Sequence, residues 1–213
     1  MRRPFDPSLY LVTDRTMCAR LGIDGVVAAA VAGGVTMVQL RDDATPAAEL
    51  VEIAKRLKHL LTPLGVPLIV NNRLPIAHAA HADGVHVGQA DASPAEARAR
   101  LGPKALLGLS ITAPDQLAAV DEAAVDYLGV GPIFATATKA DAAPAMGLEG
   151  LARCRALSKL PIVAIGGIDA RNVGEVISAG ADGVAVVSAL CAAEEPCAAA
   201  RNLRERITAA RAR

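Results

Sequence analysis

Gln39 and Arg41, Asn71 and Asn72, Gln89 and Asp91, Ser110, then Thr136, Thr138 and Lys139, Gly166 and Gly167, and Ser188 stand in that order at the downstream ends of short apolar runs. Thr13 and Asp14 close the first run in the same way. Arginine offers phosphate a planar fork of donors, and lysine a mobile point charge. Asp91 can hold Mg²⁺, which takes one or two carboxylates and leaves its other positions to water and substrate phosphates. Gly166 and Gly167 let an anion approach the main chain closely, with Ser188 adding a hydroxyl donor. Singly, each residue has a plainer reading: Arg41 pairs with Asp42, Asp91 caps a turn, Lys139 is solvated. Turn chemistry accounts for one or two polar strand ends, but it does not favour Gln, Arg, Asn and Lys.

The runs that carry these residues are "LYLVT", "MVQLR", "PLIVNN", "GVHVG", "LLGLSI", "YLGVGPIF", "PIVAIGG" and "GVAVVSA". Ala-rich helical stretches alternate with them, including 46–61, 93–101, 114–122, 148–157 and 170–179. Thr45-Pro46, Ser93-Pro94 and Asp169 suit helix starts, and "LGVP", "HADG" and "GADG" read as turns before strands. Eight strand–helix units in 213 residues predict an α/β chain folded as a single (β/α)8 TIM barrel over 1–213. An open doubly wound sheet is the competing architecture, because both bury their strands on two faces. In the barrel, all eight polar ends surround one mouth, where βα loops build an active site.

Composition narrows the function. Lys plus Arg equals Asp plus Glu at 22 each, and aromatics are 2% of the chain, so neither phosphate-backbone neutralisation nor base stacking is provided for. Nucleic acid is not an expected partner. The longest apolar run, "GVVAAAVAGGVTMVQL", is broken by Gly33-Gly34, Thr36 and Gln39 and falls short of a membrane span. Cys18, Cys154, Cys191 and Cys197 lack C-x-x-C spacing, and no secretion signal is visible, which fits inert thiols in the cytoplasm. The four histidines form no H-E-x-x-H or His–Cys pattern, so zinc is not expected; His86, between Val85 and Val87, reads as a packed barrel residue. Nucleophile-elbow, Walker and dinucleotide fingerprints are absent. The sequence leaves open whether the chain forms a homo-oligomer.

With these residues in order, the chain resembles the thiamine-phosphate synthases, (β/α)8 enzymes that join the pyrimidine and thiazole halves of thiamine. The resemblance runs from about Leu9 to Leu190 and rests on "VQLRD", "VNNR", "DGVHVGQAD", "LGLS", "GPIFATATK", "VAIGGI" and "GADGVAVVSA". The pair T-x-T-K with G-Q-x-D upstream is its specific part; the thiazole tautomerase relatives generally lack both. The resemblance implies that Gln39, Arg41, Asn71, Ser110 and Lys139 hold the aminopyrimidine diphosphate. Arg41 and Lys139 are its catalytic cations, Lys139 riding a closing loop. Thr136 and Thr138 contact the thiazole phosphate, whose phosphate group rests on Gly167, Val187 and Ser188. Asp91 binds the Mg²⁺ cofactor.

Two positions depart from the family pattern. Asn72 stands where a second metal carboxylate is usual, which weakens or removes that ligand, and Asp43 stands where a lysine is usual. A carboxylate about 4 Å from a diphosphate charge costs roughly 4 kcal/mol at an effective dielectric near 20. Either Asp42 or Asp43 replaces the missing metal charge, or Asp43 points into solvent. The departures also keep two alternatives open: a tautomerase-like barrel, for which His86 is the least poor proton-transfer group, and a non-catalytic relative that binds phosphate ligands.

Overall fold

A computed structural model describes residues 4–136, 138 and 143–212. Eight parallel strands close into a barrel in chain order: β1 Leu9–Val12, β2 Met37–Leu40, β3 Leu68–Asn71, β4 Gly84–Val87, β5 Leu106–Ile111, β6 Tyr127–Val130, β7 Ile162–Ile165 and β8 Gly183–Val186. β8 pairs with β1 and closes the sheet, which excludes the open doubly wound alternative. The helices are α1 Gly22–Ala32, α2 Ala47–Leu61, α3 Leu74–Ala79, α4 Pro94–Leu101, α5 Gly147–Leu157, α6 Val173–Ser178, α7 Ser188–Cys191 and α8 Pro196–Arg211.

Apolar spacing explains the outer ring. α2 buries Leu50, Ile53, Ala54, Leu57 and Leu61, a 3.6-residue stripe, with Glu49 in its first turn and Lys58 in its last, as the helix dipole favours. α8 begins on Pro196, whose fixed φ suits a first helical position, and packs against α1 and α6.

The lower rim repeats one device. Thr36, Asp83, Asp126 and Asp182 each precede an even-numbered strand and accept an N–H from the first or second residue of the odd strand before it. Leu9 donates to Thr36 Oγ1 at 3.0 Å, Leu68 to Asp83 Oδ2 at 2.9 Å, and Leu107 and Ile162 to Asp126 Oδ2 and Asp182 Oδ2 at 2.8 Å each. Three of these carboxylates also meet a cation from the helical ring: Lys58 at 2.7 Å, Arg98 at 2.5 Å and Arg155 at 2.9 Å. The "ADG" turns read from the sequence are two of these clamps, at Asp83 and Asp182. They satisfy main-chain donors that the ladder leaves open.

Following the strand registers round the barrel places Tyr10, Gln39, Asn71, His86, Gly108, Ser110, Tyr127 and Gly129 on the same face of the sheet. The hydroxyls of Tyr10 on β1 and Tyr127 on β6 meet at 3.0 Å although their strands are not neighbours, so that face is the interior. Phe5 packs beneath, with its ring centroid 5.7 Å from that of Tyr127.

Some boundaries differ from the sequence reading. The segment expected to be helical over 114–122 is a 3₁₀ turn, Pro114–Ala119, drawn tight by Gln116, whose Oε1 accepts the Thr112 N–H at 2.8 Å. The helix expected from 170 starts at Val173, because Asp169 is engaged by Arg171 and by the Asn172 side chain. Ser93 caps α4 as expected, accepting the Glu96 N–H at 3.2 Å. Thr45 does not cap α2; its hydroxyl donates to Asp42 Oδ2 at 2.6 Å.

Candidate active site

The strand order alone brings the predicted residues to one mouth, since every strand runs the same way. Contacts tie neighbouring parts of that mouth together. Arg41, just past β2, donates to the Thr138 carbonyl at 3.2 Å and lies 3.8 Å from Asp14 past β1. Its main-chain N–H donates to Thr13 Oγ1 at 3.1 Å. Arg41 therefore pairs with Asp14 rather than Asp42 and reaches the segment after β6. Thr136 and Thr138 face each other, with hydroxyls 3.2 Å apart. Lys139, expected on a closing loop, lies outside the described residues.

On the far side of the mouth, Gly167 has φ +64, and a Cβ there would lie 2.8 Å from the Ala135 carbonyl oxygen. Only glycine serves a left-handed position pressed against the 134–136 main chain. Gly167 and Ser188 are exposed, while Val187 is buried beneath them. Ser188 opens α7, a four-residue helix that the sequence reading did not separate from β8. Its place after strand eight, beside the β7 loop, is where barrels bind phosphate.

Asn71 ends β3 in register with His86, and Asn72 follows with φ 38, a left-handed conformation that asparagine tolerates better than most residues. The Asn72 side-chain amide donates to Asp91 Oδ1 at 3.2 Å, and the Gly88 N–H donates to Oδ2 at 2.7 Å. Among the described residues no group of three His, Cys, Asp or Glu could enclose a metal. One exposed carboxylate beside one amide still fits Mg²⁺ in the mode that draws its remaining ligands from water and diphosphate. For Asn72 to join Asp91 on one ion its amide must turn over, bringing Oδ1 forward.

Asp42 is not free to make good the lost charge. Asp42 is buried and occupied: Ala44 and Thr45 N–H groups donate to its Oδ1 at 3.0 Å. Burial raises its pKa, but the Thr45 and Ala44 hydrogen bonds outweigh that and hold it below the ordinary value. Asp43 is exposed, and its main-chain carbonyl accepts from Arg73 at 3.2 Å. That guanidinium brings positive charge to the place where the sequence lacks lysine.

Sequence reasoning missed the floor of the cup. Gln39 Nε2 donates to Tyr10 Oη at 2.9 Å; Tyr10 Oη meets Tyr127 Oη at 3.0 Å. Tyr127 Oη meets His86 Nδ1 at 3.2 Å, and His86 Nε2 meets Ser110 Oγ at 2.9 Å. Five groups from five strands thus form one chain of hydrogen bonds, with two predicted ligands, Gln39 and Ser110, at its ends. Glycines make the room: a Cβ at Gly108 would lie 2.3 Å from His86 Nδ1, and one at Gly129 would lie 2.6 Å from its Cε1. Ser110 is braced from above, its carbonyl accepting from Gln89 Nε2 at 2.7 Å.

Burial pulls the His86 pKa down from 6.5 to about 4, against the opposing pull of the Asp91 charge. The unfolded chain takes up this proton near pH 6.5 and the folded chain only near 4. Stability is therefore complete above the first value and declines as pH falls toward the second. The shift corresponds to on the order of 3 kcal/mol. Asp6, Asp42 and Asp169 have pKa values below 3.8 and act outside that window. A His86→Gln variant is expected to show a flatter melting temperature between pH 6.5 and 4 than the unaltered protein. Parallel curves would mean that the folded protein carries a charged ring.

These features define a (β/α)8 barrel with its polar site built from the loops at the strands' C-terminal ends. Within that class, the chain belongs to the thiamine monophosphate synthase family, whose sequence profile matches residues 9–190. It is 56% identical over 211 residues to the thiamine-phosphate synthase of Xanthobacter autotrophicus, covering 99% of this chain and 100% of the relative. With the enzyme of the same name from Azorhizobium caulinodans the identity is 52% over the same shares of both chains. The solved thiamine phosphate pyrophosphorylase from Pyrococcus furiosus superposes with a TM-score of 0.87 at 33% identity, over 96% of this chain and 97% of that one. No such likeness supports the tautomerase or non-catalytic alternatives. The described cysteines are free thiols, three of them buried, and no described helix is long and apolar enough to cross a membrane.

Proposed function

We propose that this chain is a transferase for the reaction its family is named for, joining an aminopyrimidine diphosphate to a thiazole phosphate to give thiamine phosphate and diphosphate. The observation that carries the reading is the convergence of Gln39, Arg41, Asn71, Ser110, Thr136, Thr138, Gly167 and Ser188 on one barrel mouth in a chain 56% identical to a curated synthase.

The bond between the pyrimidine's exocyclic CH₂ and the diphosphate oxygen breaks with the electron pair leaving on oxygen. The thiazole nitrogen supplies the pair for the new C–N bond. No proton need be transferred, which suits a site rich in donors and poor in nucleophiles. Arg41 and Lys139 bind the diphosphate and stabilise its charge as it leaves. Gln39, Asn71 and Ser110 orient the pyrimidine half. Thr136 and Thr138 meet the thiazole partner, and Gly167, Val187 and Ser188 hold its phosphate, so the two reactants lie face to face. Asp91, with Asn72 beside it, holds Mg²⁺, which when bound offsets the diphosphate charge.

Diphosphate release, assayed with each substrate alone and with both, with and without Mg²⁺, tests the reading. Release is expected only when both substrates and the metal are present. Release from one substrate alone, or none from the complete mixture, contradicts it.

A further inference from the structure

We propose that His86 is a positioning residue, held as the Nε2-protonated tautomer, that fixes through Tyr127 and Tyr10 which way the Gln39 amide and the Ser110 hydroxyl present their hydrogens. The inference rests on the functional reading above, in which Gln39 and Ser110 hold the aminopyrimidine diphosphate. It concerns the three buried groups between them.

The chain from Gln39 through Tyr10, Tyr127 and His86 to Ser110 has links of 2.9, 3.0, 3.2 and 2.9 Å. Each tyrosine hydroxyl owns one hydrogen, and a neutral imidazole owns one. Four arrangements therefore satisfy every link, and only two of them also put both buried tyrosine hydrogens to use. In the first, Gln39 donates to Tyr10, Tyr10 to Tyr127, Tyr127 to His86 Nδ1, and His86 Nε2–H to Ser110. That leaves the Gln39 carbonyl oxygen and the Ser110 hydrogen free for a ligand. In the second, every hydrogen is reversed, and Ser110 spends its hydrogen on His86.

One observation selects the first. The Gln39 amide nitrogen is the atom at Tyr10. At the other end, the first arrangement leaves the Ser110 hydrogen free to be offered to the pyrimidine half that Ser110 orients. Intermediate arrangements leave a buried tyrosine hydrogen without an acceptor in the relay, which couples the two ends. Tyr10 and Tyr127 are buried, and the imidazole fills the space that side chains at Gly108 and Gly129 would need.

The test uses full-length protein labelled with ¹⁵N at histidine, read by long-range ¹H–¹⁵N correlation near neutral pH. Aminopyrimidine diphosphate and thiazole phosphate are also titrated separately by calorimetry with Mg²⁺. The expected spectrum of the unaltered protein shows His86 protonated at Nε2 and bare at Nδ1. In Tyr127→Phe the tautomers are expected to mix, and Kd for aminopyrimidine diphosphate to rise about tenfold, the worth of one hydrogen bond. Kd for thiazole phosphate is expected to hold within twofold. Tyr10→Phe is expected to keep the His86 tautomer yet weaken the same ligand, and it replaces Tyr127→Phe should the latter not fold. A ring protonated at Nδ1, a mixed ring in the unaltered protein, or both ligands weakened equally overturns the proposal. A protein with the expected ring but no affinity for aminopyrimidine diphosphate overturns the functional reading, and the role given to the relay falls with it.

Discussion

Replacing Gly108 with alanine is expected to lower the melting temperature by about 6–12 °C and to abolish most activity. The added methyl would sit 2.2 Å from Tyr127 Cζ, 2.3 Å from His86 Nδ1 and 2.5 Å from Tyr127 Oη. Atoms at such distances must separate by more than 1 Å, and neither ring has room. Tyr127 is wedged between Phe5 and Tyr10, with ring centroids at 5.7 and 6.0 Å. Overpacking a tight core costs about 3 kcal/mol, which for a domain of this length corresponds to the stated fall. Displacing His86 also detaches Ser110, so activity is expected to fall even well below the new melting point. Thermal scans of Gly108→Ala and the unaltered protein decide the matter: a shift under about 2 °C means that the floor yields easily, contrary to its packing.

The second large effect is expected at Arg41. Arg41→Ala is expected to reduce kcat/KM for the aminopyrimidine diphosphate by about 10²–10³-fold, the range seen when a donor to developing negative charge is removed. Arg41→Lys is expected to recover only a small part. A guanidinium spans Asp14 and the Thr138 carbonyl at once, whereas an ammonium is a single point on a flexible stem. Stability should barely change, because a partly exposed pair of this kind contributes less than about 1 kcal/mol. Steady-state kinetics beside a melting curve separates the outcomes. Equal losses of stability and turnover would make Arg41 a strut for the 131–138 segment rather than a ligand for the leaving group.

The rim of the site was legible in the sequence because polar residues at the ends of apolar strands stand out against their surroundings. Gln39, Asn71, Ser110 and Gly167 needed only the barrel topology to be brought together. The floor was hidden for the opposite reason. Tyr10 in "LYLVT" and Tyr127 in "YLGVGPIF" sit within apolar runs, and nothing local distinguishes a tyrosine facing the lumen from one facing the helices. Their meeting depends on the stagger between β1 and β6, which no single strand encodes. A parity count would have helped: His86 and Ser110 each oppose a glycine, Gly108 and Gly129, in the neighbouring strand. The local engagement of Asp42 was also readable, because Thr45 stands three residues later, the spacing of a local side-chain turn.

The relay also gives the molecule a built-in optical probe. The chain has no tryptophan and two tyrosines, both of which lie in the floor of the cup. Nearly all ultraviolet emission from this protein therefore originates in that floor. A ligand arriving there alters that light directly, so occupancy can be followed without a dye or an engineered label.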